Sequence, residues 1–146
     1  MEIESLRFIA TEDDLNELFA RLVAPPPKVR DLRLRVIPDR LAVTGAYQTI
    51  FPIPFESLWE LSVCAGKIAA RLSDIKAGGV GTNFMKGYVL SAIGLKTNVF
   101  ELRDETFSLD LDRFLLEMGV PLRTNLVSVR CERERLVIEC ERTRHA

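Results

Sequence analysis

The strongest constraint on the fold is an alternation. Leu32, Leu34 and Val36 are interleaved with Arg33 and Arg35, the period-two pattern of a strand with one face on a core and one in water. Three turns extend it. A turn at Asp39-Arg40 sets Val36 opposite Val43, Leu34 opposite Gly45 and Leu32 opposite Tyr47. A turn at Pro52-Ile53-Pro54 sets Tyr47 opposite Trp59, Gly45 opposite Leu61 and Val43 opposite Val63. A turn at Ala65-Gly66 sets Val63 opposite Ile68, Leu61 opposite Ala70 and Trp59 opposite Leu72. All three keep one apolar face in phase, and a slip of one residue would turn a strand's apolar set outward. The other face holds Arg33, Arg35, Thr44, Gln48, Glu60, Ser62, Arg71 and Ser73.

The flanking segments read as further elements. Residues Glu2 to Ala10 are extended. Thr11 then serves as a helix N-cap, with Glu12, Asp13 and Asp14 in the first turn. Leu15, Leu18, Phe19 and Leu22 form an amphipathic stripe to about Val23, stopped by Pro25-Pro26-Pro27. Gly78-Gly79-Val80-Gly81 reads as a loop before a helix from Thr82 to Ile93, with Gly94 as its C-cap. Phe100 and Leu102 mark a short strand, and Phe107, Leu109 and Leu111 another. Asp110 or Asp112 caps a short helix with Phe114, Leu115 and Met118, ended by Gly119 and Pro121. A last hairpin with its loop near Arg133-Glu134 sets Cys131 opposite Leu136, Val129 opposite Ile138 and Val127 opposite Cys140. That register predicts no disulfide between Cys131 and Cys140. The expected fold is α+β: one domain over residues 1–146, an antiparallel β-meander sheet packed against two or three helices.

The charge and the reactive side chains narrow the function. With 20 basic and 21 acidic residues the chain has no net basic field for nucleic acid. The one histidine, His145, is next to last, which leaves no basis for a histidine triad or a histidine-rich metal site. The three cysteines show no Cys-x-x-Cys spacing, and Cys131 and Cys140 fall on the apolar phase of their strands. Gly78 to Gly81 lacks the Gly-Lys-Ser/Thr ending of a phosphate loop. Asp110 and Asp112, near Asp104 and Glu105, suit helix capping better than a cation site or an acid/base pair. Arg30, Arg33 and Arg35 lie on the water-facing phase, and Arg130 to Arg135 alternates in sign with Glu132 and Glu134. No enzyme and no cofactor or metal site is expected.

The acidic start, Met1-Glu2-Ile3-Glu4-Ser5, is not a secretory signal, and no apolar run approaches the roughly 18 residues of a membrane span. A soluble, cytoplasmic chain is expected.

The helix from Thr82 to Ile93 carries more apolar surface than a single contact needs. At about 100° per residue, Phe84, Tyr88, Met85, Ala92, Val89 and Ile93 cover roughly half its circumference. The bland account is a central helix buried on several sides; the sharper one is a pocket wall or a dimer face, for which flexible Met85 is suited. Tyr47, Trp59, Leu72, Phe84, Met85, Tyr88 and Val89 are the candidate ligand-binding residues. The expected partners are a lipid or other apolar small molecule, with peripheral membrane contact or a homodimer as further options. The principal rival is a protein-interaction module with a fully packed interior and no ligand.

Several segments resemble the LmeA-like phospholipid-binding family: Val29 to Val36 followed by Leu41 to Gly45, Phe51-Pro52-Ile53-Pro54-Phe55, Leu109 to Leu115, Gly119 to Leu122, and Ser128-Val129-Arg130-Cys131 with Leu136 to Glu139. The likeness covers most of the chain after Val29. It implies a lipid-binding fold related to the tubular lipid-binding modules, in which a twisted antiparallel sheet wraps a long helix. Members commonly carry a signal or membrane anchor, and the acidic N-terminus departs from that pattern. The resemblance implies no catalytic residues.

Overall fold

The computed structural model describes residues 3–24, 28–48, 50–77, 80–81, 94–95, 100–103, 106–121 and 123–143. In chain order the described elements are β1 (Ile3–Thr11), α1 (Glu12–Leu22), β2 (Val23–Ala24), β3 (Val29–Ile37), β4 (Arg40–Gln48), β5 (Pro52–Cys64), β6 (Lys67–Ala77), β7 (Val80–Gly81), β8 (Gly94–Leu95), β9 (Phe100–Arg103), β10 (Thr106–Leu109), α2 (Leu111–Glu117), β11 (Asn125–Glu132) and β12 (Arg135–Thr143). Antiparallel sheet dominates the described residues, which include two helices, so the class is α+β. The large sheet runs β3-β4-β5-β6-β10-β9, with β7 also on β6. A second sheet, β1-β12-β11, brings the first and last described strands together. Sequence periodicity does not reveal that closure, because it depends on pairing across almost the whole chain.

Turn chemistry explains the registers. Ala65 and Gly66 both have positive φ, 51° and 75°, the requirement of a two-residue hairpin turn matched to strand twist. Val63 then faces Ile68, Leu61 faces Ala70 and Trp59 faces Leu72, as expected. The β3–β4 turn is instead Pro38-Asp39: Leu34 faces Val43 and Val36 faces Leu41. Proline suits the first central position, and Asp39 takes φ 69° at the second. The last β4–β5 pair is Gln48 with Pro52, so Tyr47 faces Ile53 and Leu41 faces Trp59. Pro52 and Pro54 are strand residues rather than turn residues. β6 ends at Ala77, opposite Phe55, so both prolines sit where β5 has β4 as its only described neighbour. These corrections are slips of two and six residues. Both numbers are even, and the apolar face survives.

Bulges modify the pattern further. Between Leu58 and Trp59 the ladder gains a residue on β6, so Leu72 and Ile75, three apart, are both buried. Ser73, expected on the outer face, is the extra residue, and its hydroxyl donates to the Leu58 carbonyl at 3.0 Å. A second irregularity, between Arg30 and Arg33, includes Asp31 at φ 58°. Gly45 pairs with Phe55 in this region. A Cβ there would lie 2.9 Å from the Phe55 ring and 3.1 Å from the Arg30 carbonyl oxygen, which accounts for the glycine. In the last hairpin Cys131 faces Leu136 and Val129 faces Ile138, as expected. A bulge then sets Leu126, not Val127, opposite Cys140, and leaves Val127 49% exposed.

The helices obey their caps. Thr11 Oγ1 accepts from the Asp14 amide while Asp14 Oδ2 accepts from the Thr11 amide, a reciprocal capping box. Asp110 caps α2 by accepting from the Arg113 amide. The helix closes with Gly119 at φ 86° and the Val120 amide donating to Leu115, a Schellman-type ending. Leu111, expected on a strand, is the first residue of α2 and is buried. Gly94, expected as a helix cap, pairs with Ala24 instead.

β3 is an edge strand, and α1 protects it. The Asn16 side chain donates to the Leu34 carbonyl at 2.9 Å and accepts from the Leu34 amide at 2.7 Å. Glu12 Oε1 accepts from the Val36 amide. One side-chain amide thereby takes the place of a neighbouring strand. The hairpin tips join the two sheets: Asp39 N–H donates to the Cys131 carbonyl and Glu134 N–H to the Val36 carbonyl.

Candidate apolar site

The inner face of the large sheet carries two apolar clusters. In the first, Leu34, Val36 and Ile68 meet Cys131, Leu136, Ile138 and Cys140 of the second sheet, with Leu111 of α2 and the partly buried Leu15 and Phe19 of α1. Residues from both layers build it. In the second, Trp59, Leu72, Ile75 and Phe107 pack with Leu41, Val43 and Ala70. Every described member of that group belongs to the large sheet itself.

The second cluster is buried and contains one polar side chain, Ser57. Trp59 is 7% exposed and Leu72 0%. The Trp59 and Phe107 ring centroids are 5.5 Å apart and tilted by 52°, within the favourable range for aromatic pairs. Trp59 Nε1 donates to Ser57 Oγ at 2.9 Å, and Ser57 Oγ donates in turn to the Val43 carbonyl at 3.1 Å. Ser57 is the one buried polar residue among those described. Burying an indole requires such a partner, since an unpaired N–H is costly away from water.

Of the candidate ligand-binding residues, Trp59 and Leu72 come together as cross-strand neighbours. Tyr47 does not join them. The six-residue slip moves it along β4 to pair with Val29 and Ile53, about 20 Å from the Trp59 level at 3.3 Å per residue. Phe84, Met85, Tyr88 and Val89 lie outside the described residues. Ser57, Ile75 and Phe107 were not among the candidates. The signal for Ile75 was its three-residue spacing from Leu72, which marks a bulge. Ser57 gave a weaker one, as a small polar residue on the apolar phase two positions before a tryptophan.

The polar candidates have structural partners. Asp112 accepts from both the amide and the hydroxyl of Thr124, and Asp110 is the cap already described. Burial, and then nearby Asp39, pushes the Cys131 thiol up to about 11. Burial also raises Cys140, partly opposed by a hydrogen bond with Thr124. Both thiols stay protonated at neutral pH, unlike a nucleophile or metal ligand. All three cysteines are free. A depression of about 270 Å³ is lined by Asp39, Leu61, Val129, Arg130, Cys131 and Glu132. Another, of about 380 Å³, is lined by Asp110, Asp112, Arg113, Leu116, Pro121 and Arg123. Neither reaches Trp59 or Leu72. Among the described residues no group of three or more His, Cys, Asp or Glu side chains could hold a metal ion, and no helix is long and apolar enough to cross a membrane.

Compared with protein-family models, curated proteins and solved structures, the chain matches none.

Proposed function

We propose that the chain is a non-enzymatic domain that binds a lipid or other apolar ligand between its large sheet and its helices. Trp59, Leu72, Ile75 and Phe107 form the sheet-side wall, and Phe84, Met85, Tyr88 and Val89 are the residues that the sequence pattern offers for the facing side. The observation that supports this is the asymmetry of the two clusters: the first combines both sheets and both described helices, whereas the described members of the second all belong to the large sheet. The resemblance to the LmeA-like phospholipid-binding family points the same way. Ligand burial would draw on the hydrophobic effect, about 25 cal/mol per Å² of apolar surface removed from water.

The test is native mass spectrometry of protein purified without detergent, followed by organic extraction. A co-purifying lipid is the expected result; an unliganded dimer with no extractable lipid would overturn the reading. Met85→Asp should abolish uptake and leave a folded chain, whereas general unfolding would mark Met85 as plain core. A second reading, a protein-interaction module or homodimer, draws on the exposed apolar side chains at the end of α2, where Leu116 is 60% and Met118 54% exposed.

A further inference from the structure

The two most exposed large apolar side chains described are at the β4–β5 hairpin tip, Ile50 at 92% and Phe51 at 74%, with Ile53 beside them at 36%. Two adjacent apolar residues at a convex turn offer little area to a flat protein partner, but they suit insertion into a soft medium. The backbone there is adapted to such a medium. Pro52 and Pro54 follow the turn and carry no N–H, which lowers the cost of removing this backbone from water.

Cations stand directly behind the tip. The Gln48 amide donates to the Lys28 carbonyl at 2.7 Å, and Arg30 pairs with Ala46. Lys28 and Arg30 are both exposed. At 3.3 Å per residue they sit roughly 7 and 13 Å behind Ile50 along the strands. Interfacial elements bury their apolar face about 5–10 Å into the headgroup boundary, so these cations would lie at the level of the lipid phosphates. The first described acidic side chains on these strands come later: Asp31, and Glu56 opposite Lys76.

We propose that the β4–β5 hairpin tip docks the protein on an anionic lipid surface, with Ile50 and Phe51 inserted and Lys28 and Arg30 at the headgroups. This does not depend on an internal ligand. The inner-face row Val29–Tyr47–Ile53 places the tip at one end of the same apolar face that carries Trp59.

The test is co-flotation of the full chain with phosphatidylcholine vesicles, with and without phosphatidylglycerol. Binding is expected on the anionic vesicles, weakening as salt is raised. The double substitution Ile50→Ser/Phe51→Ser should reduce it on the order of a hundredfold, with circular dichroism unchanged because both side chains are exposed. Lys28→Glu/Arg30→Glu should cut anionic binding and leave the weak zwitterionic binding unaltered. No flotation of the unsubstituted chain, or undiminished flotation of the apolar double variant, would overturn the proposal. So would a concentration-dependent dimer, broken by the same double variant, in a chain that ignores vesicles. Co-purified lipid is a separate readout, so docking and ligand binding fail independently.

Discussion

The two apolar clusters share one sheet face but are built differently. Around Val36, Leu136 and Ile138, two sheets and both described helices contribute, and backbone hydrogen bonds between hairpin tips hold the layers in register. Around Trp59 and Leu72, the described members of the cluster all belong to strands of one sheet, and a serine hydroxyl satisfies the buried indole. The described members of the second belong to one sheet alone, and the ligand proposal rests on that difference.

Substitution on the closed side should have the largest effect. Leu136→Ala is expected to cost about 2–5 kcal/mol, read by chemical denaturation, with lipid retained per folded chain unchanged. Leu72→Ala should fall in the same range but also alter the amount or chain length of retained lipid. Equal retention in both variants would erase the distinction between the clusters. Next is Asn16→Ala, which removes the side-chain amide that stands in for a strand beside Leu34. A loss of about 1–3 kcal/mol is expected, together with self-association through the opened β3 edge, visible by light scattering.

Why some of this was legible in the sequence, and some not, follows from the same residues. The phase of the inner face was readable because a hairpin slip of two or six residues leaves Leu34, Val43, Trp59 and Leu72 on one side. The particular partners were readable only where the turn was unambiguous, as at Ala65-Gly66. Pro38-Asp39 and the Pro52/Pro54 pair misled because proline is at home both in turns and at unpaired strand positions. The Asn16 clamp and the β1–β12 pairing were hidden, since each joins residues distant in sequence through a contact that no local period encodes. The candidate site was legible in part: Trp59 and Leu72 were brought together, whereas Tyr47 was carried toward the hairpin tip.

Smaller effects sharpen the second cluster. Ser57→Ala should strand the Trp59 indole N–H, costing about 1–2 kcal/mol, and shift tryptophan emission without disturbing the first cluster. Cys131 supplies a pH test of the closed side. Its thiol is held at about 11 against an ordinary value of 9.0, so between these values the unfolded chain binds fewer protons than the folded one. Stability from this group is therefore complete below about pH 9 and declines as pH rises toward 11. Thermal melts from pH 8 to 11 should fall more steeply for the native sequence than for Cys131→Ala.

The chain has a single tryptophan, and Trp59 lies within the one-sided cluster, so its emission reports on the proposed wall directly. Titrating oleate into delipidated protein should change that emission saturably, and Met85→Asp should abolish the change while remaining folded. Emission that stays constant up to the solubility limit of the fatty acid would contradict the account, and would leave the Trp59 cluster as ordinary core.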